Sequence, residues 1–196
     1  MFRSFWNSMS GALRISLVLL IICGGLYPVL VTGIGQALFH FQANGSIING
    51  SDGKPVGSEL IGQQFDKAIY FQPRPSAAGP DGYSATQSGG SNLGPTNSQL
   101  ISTVAARVAA YRTFNDLAPN TPVPADAVTA SGSGLDPDIS PTNAYLQVDR
   151  VAAARDLPEE QVLALVKQNV QGRTLGIFGT PRVNVLLLNL ALDKLK

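Results

Sequence analysis

The chain has 196 residues, room for one ordinary domain and a tail, and its 14 Lys plus Arg nearly balance 13 Asp plus Glu, so no basic face points to nucleic acid. A single Cys and a single His remove a disulfide and a Cys/His metal cluster, and no nucleophile–His pair is evident. Charged residues make up only 14%, while 20 Gly and 13 Pro are present, which points to a membrane segment and a loop-rich domain.

Residues 1–40 carry Arg3 and Arg14 and no acid, and the 25 residues from Ile15 to Phe39 carry no formal charge. About 20 apolar residues in a helix cross a hydrocarbon core, and a lone segment in lipid must satisfy its own backbone. This predicts a cytoplasmic N-terminus over 1–11, one transmembrane helix from Ala12 to Gln36 and an extracytoplasmic domain over 37–196. The apolar run is too long for a cleavable signal peptide, and Ile22 before Cys23 is too bulky for a lipobox. The two Arg bias the N-terminus inward. Gly25, Thr32, Gly33 and Gly35 are small, Pro28 can kink the helix and Gln36 can hydrogen-bond, so this helix is expected to pack against partner helices.

Beyond the span, Ser46–Ile48 and Ala68–Phe71 read as short strands in a loop-rich stretch. Leu100, Ile101, Val104, Val108 and Tyr111 recur at helical spacing behind a polar cap at Asn97 or Ser98. Ser140-Pro141 opens a helix expected to run to Arg155, and Pro158-Glu159-Glu160 opens another, with Val162, Val166 and Val170 on its inner face and Gly172 as its stop. A last helix is expected from Val183 to Leu195, too short to span and therefore a core helix. The expected fold class is α+β: one N-terminal transmembrane helix, then a single loop-rich extracytoplasmic α+β domain.

Candidate chemistry is sparse. The Ser88-Gly89-Gly90-Ser91 stretch has the glycines of a phosphate cradle, but only three residues separate Gly90 from Gly94, no Lys follows and Pro95 lacks an N–H. A tight loop leading into the Asn97 helix fits it better. Arg74, between Pro73 and Pro75, is stiffened for an anion or for a structural ion pair. Asp136 and Asp138 fit turn or cap roles better than a cation site, and His40 is expected at the membrane interface. These residues alone describe a single-pass anchored domain with no active site of its own.

Several stretches carry a resemblance: YFQPRPSA over 70–77, SGGSNLGPTN over 88–97, ASGSGLDPDIS over 130–140, RVAAAR over 150–155 and PRVNVLLLNLALDKL from Pro181. In this order they resemble the KdpC family, the C subunit of the bacterial high-affinity potassium-pumping Kdp ATPase. Asp138 departs from the family pattern, where His is common.

The resemblance implies a non-catalytic accessory subunit in the cell (inner) membrane. Its partners would be a potassium-conducting A subunit, an ATP-hydrolysing B subunit and a small F subunit. The family is described as a catalytic chaperone that raises the ATP affinity of the B subunit. By that description Ser88, Gly89, Gly90 and Ser91 would contact nucleotide, with ATP reached only through the B subunit or a shared site. The charge asymmetry opposes direct contact, because it puts residues 88–91 across the bilayer from cytoplasmic ATP. The alternative from another class is an anchored extracytoplasmic ligand-binding protein independent of any pump.

Overall fold

A computed structural model describes residues 2–50 and 52–195. The chain divides into two units, Met1–Ile47 and Ile48–Lys196.

The first unit is helical from Phe2 to Leu38: α1 (Phe2–Ile21), a π turn (Ile22–Leu26) and α2 (Tyr27–Leu38), followed by the short α3 (His40–Ala43). Within it Met9–Leu38 is long and apolar enough to cross a membrane. The helix overruns the expected Ala12–Gln36 at both ends. The π turn sits just ahead of Pro28, whose ring crowds the carbonyl four residues back, that of Gly24. Widening that turn, with the Tyr27 N–H bonded to the Ile22 carbonyl, accommodates the proline inside a continuous helix. The span's large apolar side chains face outward, Leu13, Leu20 and Val29 among them, as lipid as solvent requires.

The second unit is mixed. Strands β1 (Ile47–Asn49) and β2 (Pro55–Ser58) form a two-stranded sheet. α4 (Ser98–Phe114) is capped by Asn97, whose side chain accepts from the N–H groups of Gln99 and Leu100, and α5 (Ala125–Val128) follows. A three-stranded antiparallel sheet has the order β3 (Asp138–Ile139), β5 (Arg182–Asn184), β4 (Val170–Gln171), with Ile139 and Val170 both opposite Val183. Four helices complete the unit: α6 (Pro141–Leu146), α7 (Val148–Arg155), α8 (Glu159–Asn169) and α9 (Val185–Leu192).

The main core joins Ile139 and Val183 of the sheet to Val148 and Val151 of α7, Val162 and Val166 of α8, and Val185, Leu188 and Leu192 of α9, with Phe71 among them. Each such side chain contributes about 1.5–3 kcal/mol when fully buried. A second cluster packs Tyr111 of α4 against Ala127 and Val128, with Val104, Val108 and Leu146 at its edge.

Four expectations are corrected. Ala68–Phe71 is no strand: residues 68 and 69 lie in a turn, closed by the Tyr70 N–H on the Lys67 carbonyl. The helix expected from Ser140 to Arg155 breaks at Gln147, and the buried Gln147 side chain bonds elsewhere. α8 ends at Asn169, so Val170 joins the sheet rather than the helix face, and Gly172 is not the stop. The last helix begins at Val185, because residues 182–184 are the central strand.

Candidate functional site

The stretch from Ala68 to Ser76 has no ladder partner among the described residues, yet side chains hold the backbone carbonyls of 68 to 72 and 74 and the N–H groups of 71 and 72. Arg150 on α7 donates to the carbonyls of Ala68 and Tyr70, the latter at 3.0 Å, and Arg155 Nε donates to the Ile69 carbonyl at 2.7 Å. Asn189 on α9 pairs with both backbone groups of Phe71, accepting from its N–H at 2.8 Å and donating to its carbonyl at 3.0 Å. Gln147 does the same for Gln72, at 2.7 and 3.2 Å. Tyr83 Oη donates to the Arg74 carbonyl at 2.5 Å. Prolines 73 and 75 cannot donate to a ladder, so side-chain amides and guanidinium groups take the place of a neighbouring strand. Residues 68–76 form a strap laid across the helices.

The bracing side chains are linked to one another. Gln147 Nε2 donates to Asn143 Oδ1, which also accepts from Tyr111 Oη, and Asn143 Nδ2 donates to Asp126. Asp126 further accepts from the Ser140 backbone and hydroxyl. Arg150 reaches Asn115 and Gln147, and its guanidinium stacks on Phe114 at 4.6 Å. Burial pulls the Arg150 guanidinium down to about 10, with the Tyr111 phenol acting in the opposite sense, so it is charged at neutral pH. Burial also raises the Tyr111 and Tyr83 phenols well above their ordinary value.

Arg74 emerges from the strap and pairs with Asp136 at 2.7 Å, while its Nε is buried with no hydrogen-bond partner among the described residues. Of the two readings of this arginine, the ion pair is the one formed. Arg74 lines two clefts. One, of about 370 Å³, is lined by Gln72, Ser76, Tyr83, Arg107 and Tyr111; the other, of about 430 Å³, by Asp126, Asp136, Asp138, Thr180 and Arg182. Asp136 accepts from the Asp138 N–H in a turn, and Asp138 pairs with Arg182 at 3.1 Å. Burial first, and the neighbouring Asp136 next, raise the Asp138 carboxyl, against the pull of Arg182 and Asn184.

The Ser88–Ser91 stretch is irregular and packs on the loop 131–134. The Gly89 N–H and the Ser88 hydroxyl both donate to the Ser133 carbonyl, at 2.8 and 3.0 Å. A Cβ on Gly90 would lie 3.1 Å from the Gly132 oxygen. Gly134 has φ +67°, and a Cβ there would lie 2.5 Å from the Gly89 oxygen, so glycine is required. Ser91 is exposed.

On the apolar helix, Pro28, Thr32, Gly35 and Gln36 share a face at helical spacing, while a Cβ on Gly25 or Gly33 would meet nothing within 4 Å. Gln36, His40 and Asn44 cluster just beyond: His40 Nδ1 lies 3.1 Å from Gln36 Oε1, and Asn44 Nδ2 donates to the same oxygen at 3.1 Å.

Sequence reasoning missed Asn115, Asp126, Asn143, Gln147 and Asn189 as bracing residues. Asn189 alone left a signal, as a polar residue inside the leucine run of α9.

An apolar helix long enough to cross a membrane, followed by a mixed α+β unit, is the class of architecture the chain presents. The family model for "KdpC: K+-transporting ATPase, c chain" matches residues 9–194, and the chain belongs to that family. It is 55% identical over 184 residues to the potassium-transporting ATPase KdpC subunit of Mycobacterium tuberculosis, covering 94% of this chain and 96% of that one. The KdpC subunit of Geobacter metallireducens is 51% identical over 189 residues, 96% and 98% of the two chains, and that of Caulobacter vibrioides 57% over 173 residues, 88% and 86%.

Proposed function

We propose that this chain is the non-catalytic C subunit of an ATP-driven potassium-uptake pump, held in the inner membrane by one span with its N-terminus in the cytoplasm and residues 37–196 outside. The family match over residues 9–194 carries this reading. Its partners are a potassium-conducting A subunit, an ATP-hydrolysing B subunit and a small F subunit, met in part through the face of Gly25, Pro28, Thr32, Gly33, Gly35 and Gln36. It holds no nucleotide of its own. Support for this comes from Ser88–Ser91, where the Gly89 N–H and the Ser88 hydroxyl are committed to Ser133 and no Lys stands nearby in sequence. Any rise in the pump's ATP affinity then comes from a conformational equilibrium: the C subunit binds more tightly to the form that binds ATP better, and by reciprocity raises its population.

The test is topological. With Cys23→Ala and Ser91→Cys, a membrane-impermeant thiol reagent added to intact spheroplasts is expected to label the chain. Labelling only after lysis, together with saturable ATP binding that Gly89→Val abolishes, overturns the indirect mechanism and restores direct contact at Ser88–Ser91.

A further inference from the structure

Between β4 and β5 the chain makes a finger, residues 172–180, whose tip exposes Leu175 (84%), Ile177 (72%) and Phe178 (64%). The finger is ordered by its own backbone: Thr174 and Phe178 form an antiparallel bridge, and the N–H groups of Thr174, Gly176, Ile177 and Phe178 are all bonded within the loop. Leu175 has φ +54°, followed by Gly176 at +74° and Gly179 at +77°. A branched, bulky residue in the left-handed region is unfavourable, and here it holds a large apolar side chain in solvent. At Gly172, Gly176 and Gly179 an added Cβ would meet nothing within 4 Å, so the finger stands clear of the unit that carries it.

Charge adds a second observation. From Gln161 to Leu192 there is no acid, while Lys167, Arg173 and Arg182 lie in the stretch. Arg182 is paired with Asp138, and Arg173, at the root of the tip, makes no ion pair among the described residues.

We infer that this finger is a docking knob for another polypeptide subunit of the same pump, received in an apolar pocket with a carboxylate at its rim opposite Arg173. The inference rests on the pump-subunit reading above. A fitted pocket gains from a turn that fixes the directions of three side chains, because less freedom is lost on binding. A bilayer accepts apolar side chains in any arrangement and gains nothing from the strained turn. The two clefts beside Arg74 are lined in large part by charged and polar side chains, so neither gives a second copy of this unit an apolar pocket for the knob.

The experiment replaces Phe178 with photoreactive p-benzoylphenylalanine in the full chain, co-expressed with the other pump subunits, and irradiates the membranes. A covalent adduct to another subunit is expected, with none from the same probe at the exposed Ile101 of α4. In parallel, Leu175→Asp with Phe178→Asp is expected to lower copurification at least tenfold and Arg173→Glu several-fold, while the isolated chain melts as the parent does. Adducts to lipid alone, to a second copy, or to nothing, with the other subunits still copurifying, overturn the knob and leave the subunit reading standing. If the parent chain copurifies with no pump subunit, the subunit reading itself falls.

Discussion

The helical segment 2–38 and the strap 68–76 solve the same problem in opposite ways. Within the helix the backbone pairs with itself, residue by residue, and the apolar side chains are left free to face lipid. In the strap the backbone has no repeating partner, and individual side chains from α7, α9 and Gln147 supply its hydrogen bonds. A helix therefore spreads its stability over many equivalent bonds. The strap concentrates it in five side chains: Arg150, Gln147 and Asn189 each hold two of its backbone atoms, Arg155 and Tyr83 one each.

The largest expected effect removes one such brace. Asn189→Leu keeps the branched four-atom shape of a buried side chain but leaves the N–H and carbonyl of Phe71 unpaired in the core, and should cost about 2–5 kcal/mol. Asn189→Asp keeps an acceptor for the Phe71 N–H but sets a second oxygen against the Phe71 carbonyl at a buried site, so at neutral pH it should cost a comparable amount. Urea titration of the detergent-solubilised full chain measures both, and equal stability of Asn189→Leu and parent would remove the strap argument. Next comes Arg150→Lys, which keeps the charge but gives up the planar fork that reaches Asn115, Gln147 and two strap carbonyls; about 1–3 kcal/mol is expected.

The third effect is one of pH. Tyr83 and Tyr111 have phenols raised above 10.0 by burial, so the stability they contribute is complete below about pH 10 and is lost as pH climbs toward their folded values. Arg150 acts in the opposite sense over the same range, one group against two. Stability measured from pH 9.5 to 11.5 should fall in the parent and fall less in Tyr83→Phe/Tyr111→Phe; identical slopes would show that neither phenol stays neutral in the fold.

Asp138→Asn should give a smaller change of opposite sign. With its folded value raised above 3.8, the charged carboxylate is a net cost, present as pH rises through that raised value. A modest rise in Tm at pH 7, vanishing at pH 3, is expected. The smallest effect on the chain itself belongs to the helix: a Cβ at Gly33 meets no atom within 4 Å and the position faces outward, so Gly33→Leu should leave the melting of the isolated chain unmoved. Copurification with other pump subunits should weaken, by about 1–3 kcal/mol if Gly33 lies in a tight helix contact. Unchanged copurification would reduce the span to an anchor.

The same contrast explains what could be read from sequence. Elements held by local rules were legible: the uncharged run to Phe39, the Asn97 cap with its i, i+3, i+4 pattern, Ser140-Pro141, and the buried leucines of α9. Those set by partners distant in the chain were not. Ala68–Phe71 has the composition of a strand, but no second strand comes to it, and the amides that do lie 75 and 118 residues away. Gln147 looks like an ordinary exposed helical position until its side chain is seen bonding Gln72. For the finger, the apolar residues were visible, but their exposure follows from left-handed backbone at Leu175, which composition does not announce.

The separation between Phe71 and Asn189 also sets an order of events. Phe71 cannot exchange water for its partner until the chain has grown a further 118 residues and α9 has packed, so closure of the strap belongs late in folding. Until then the strap is bare chain with exposed carbonyls, open to proteases and to foreign strands. Loss of the Asn189 amide should accordingly speed unfolding while leaving the refolding rate almost unchanged, a split that stopped-flow kinetics resolves. Once laid down, the strap ties α9 to a segment 118 residues away, so α9 cannot leave without baring the backbone of Phe71, and the helix serves as a latch on the strap.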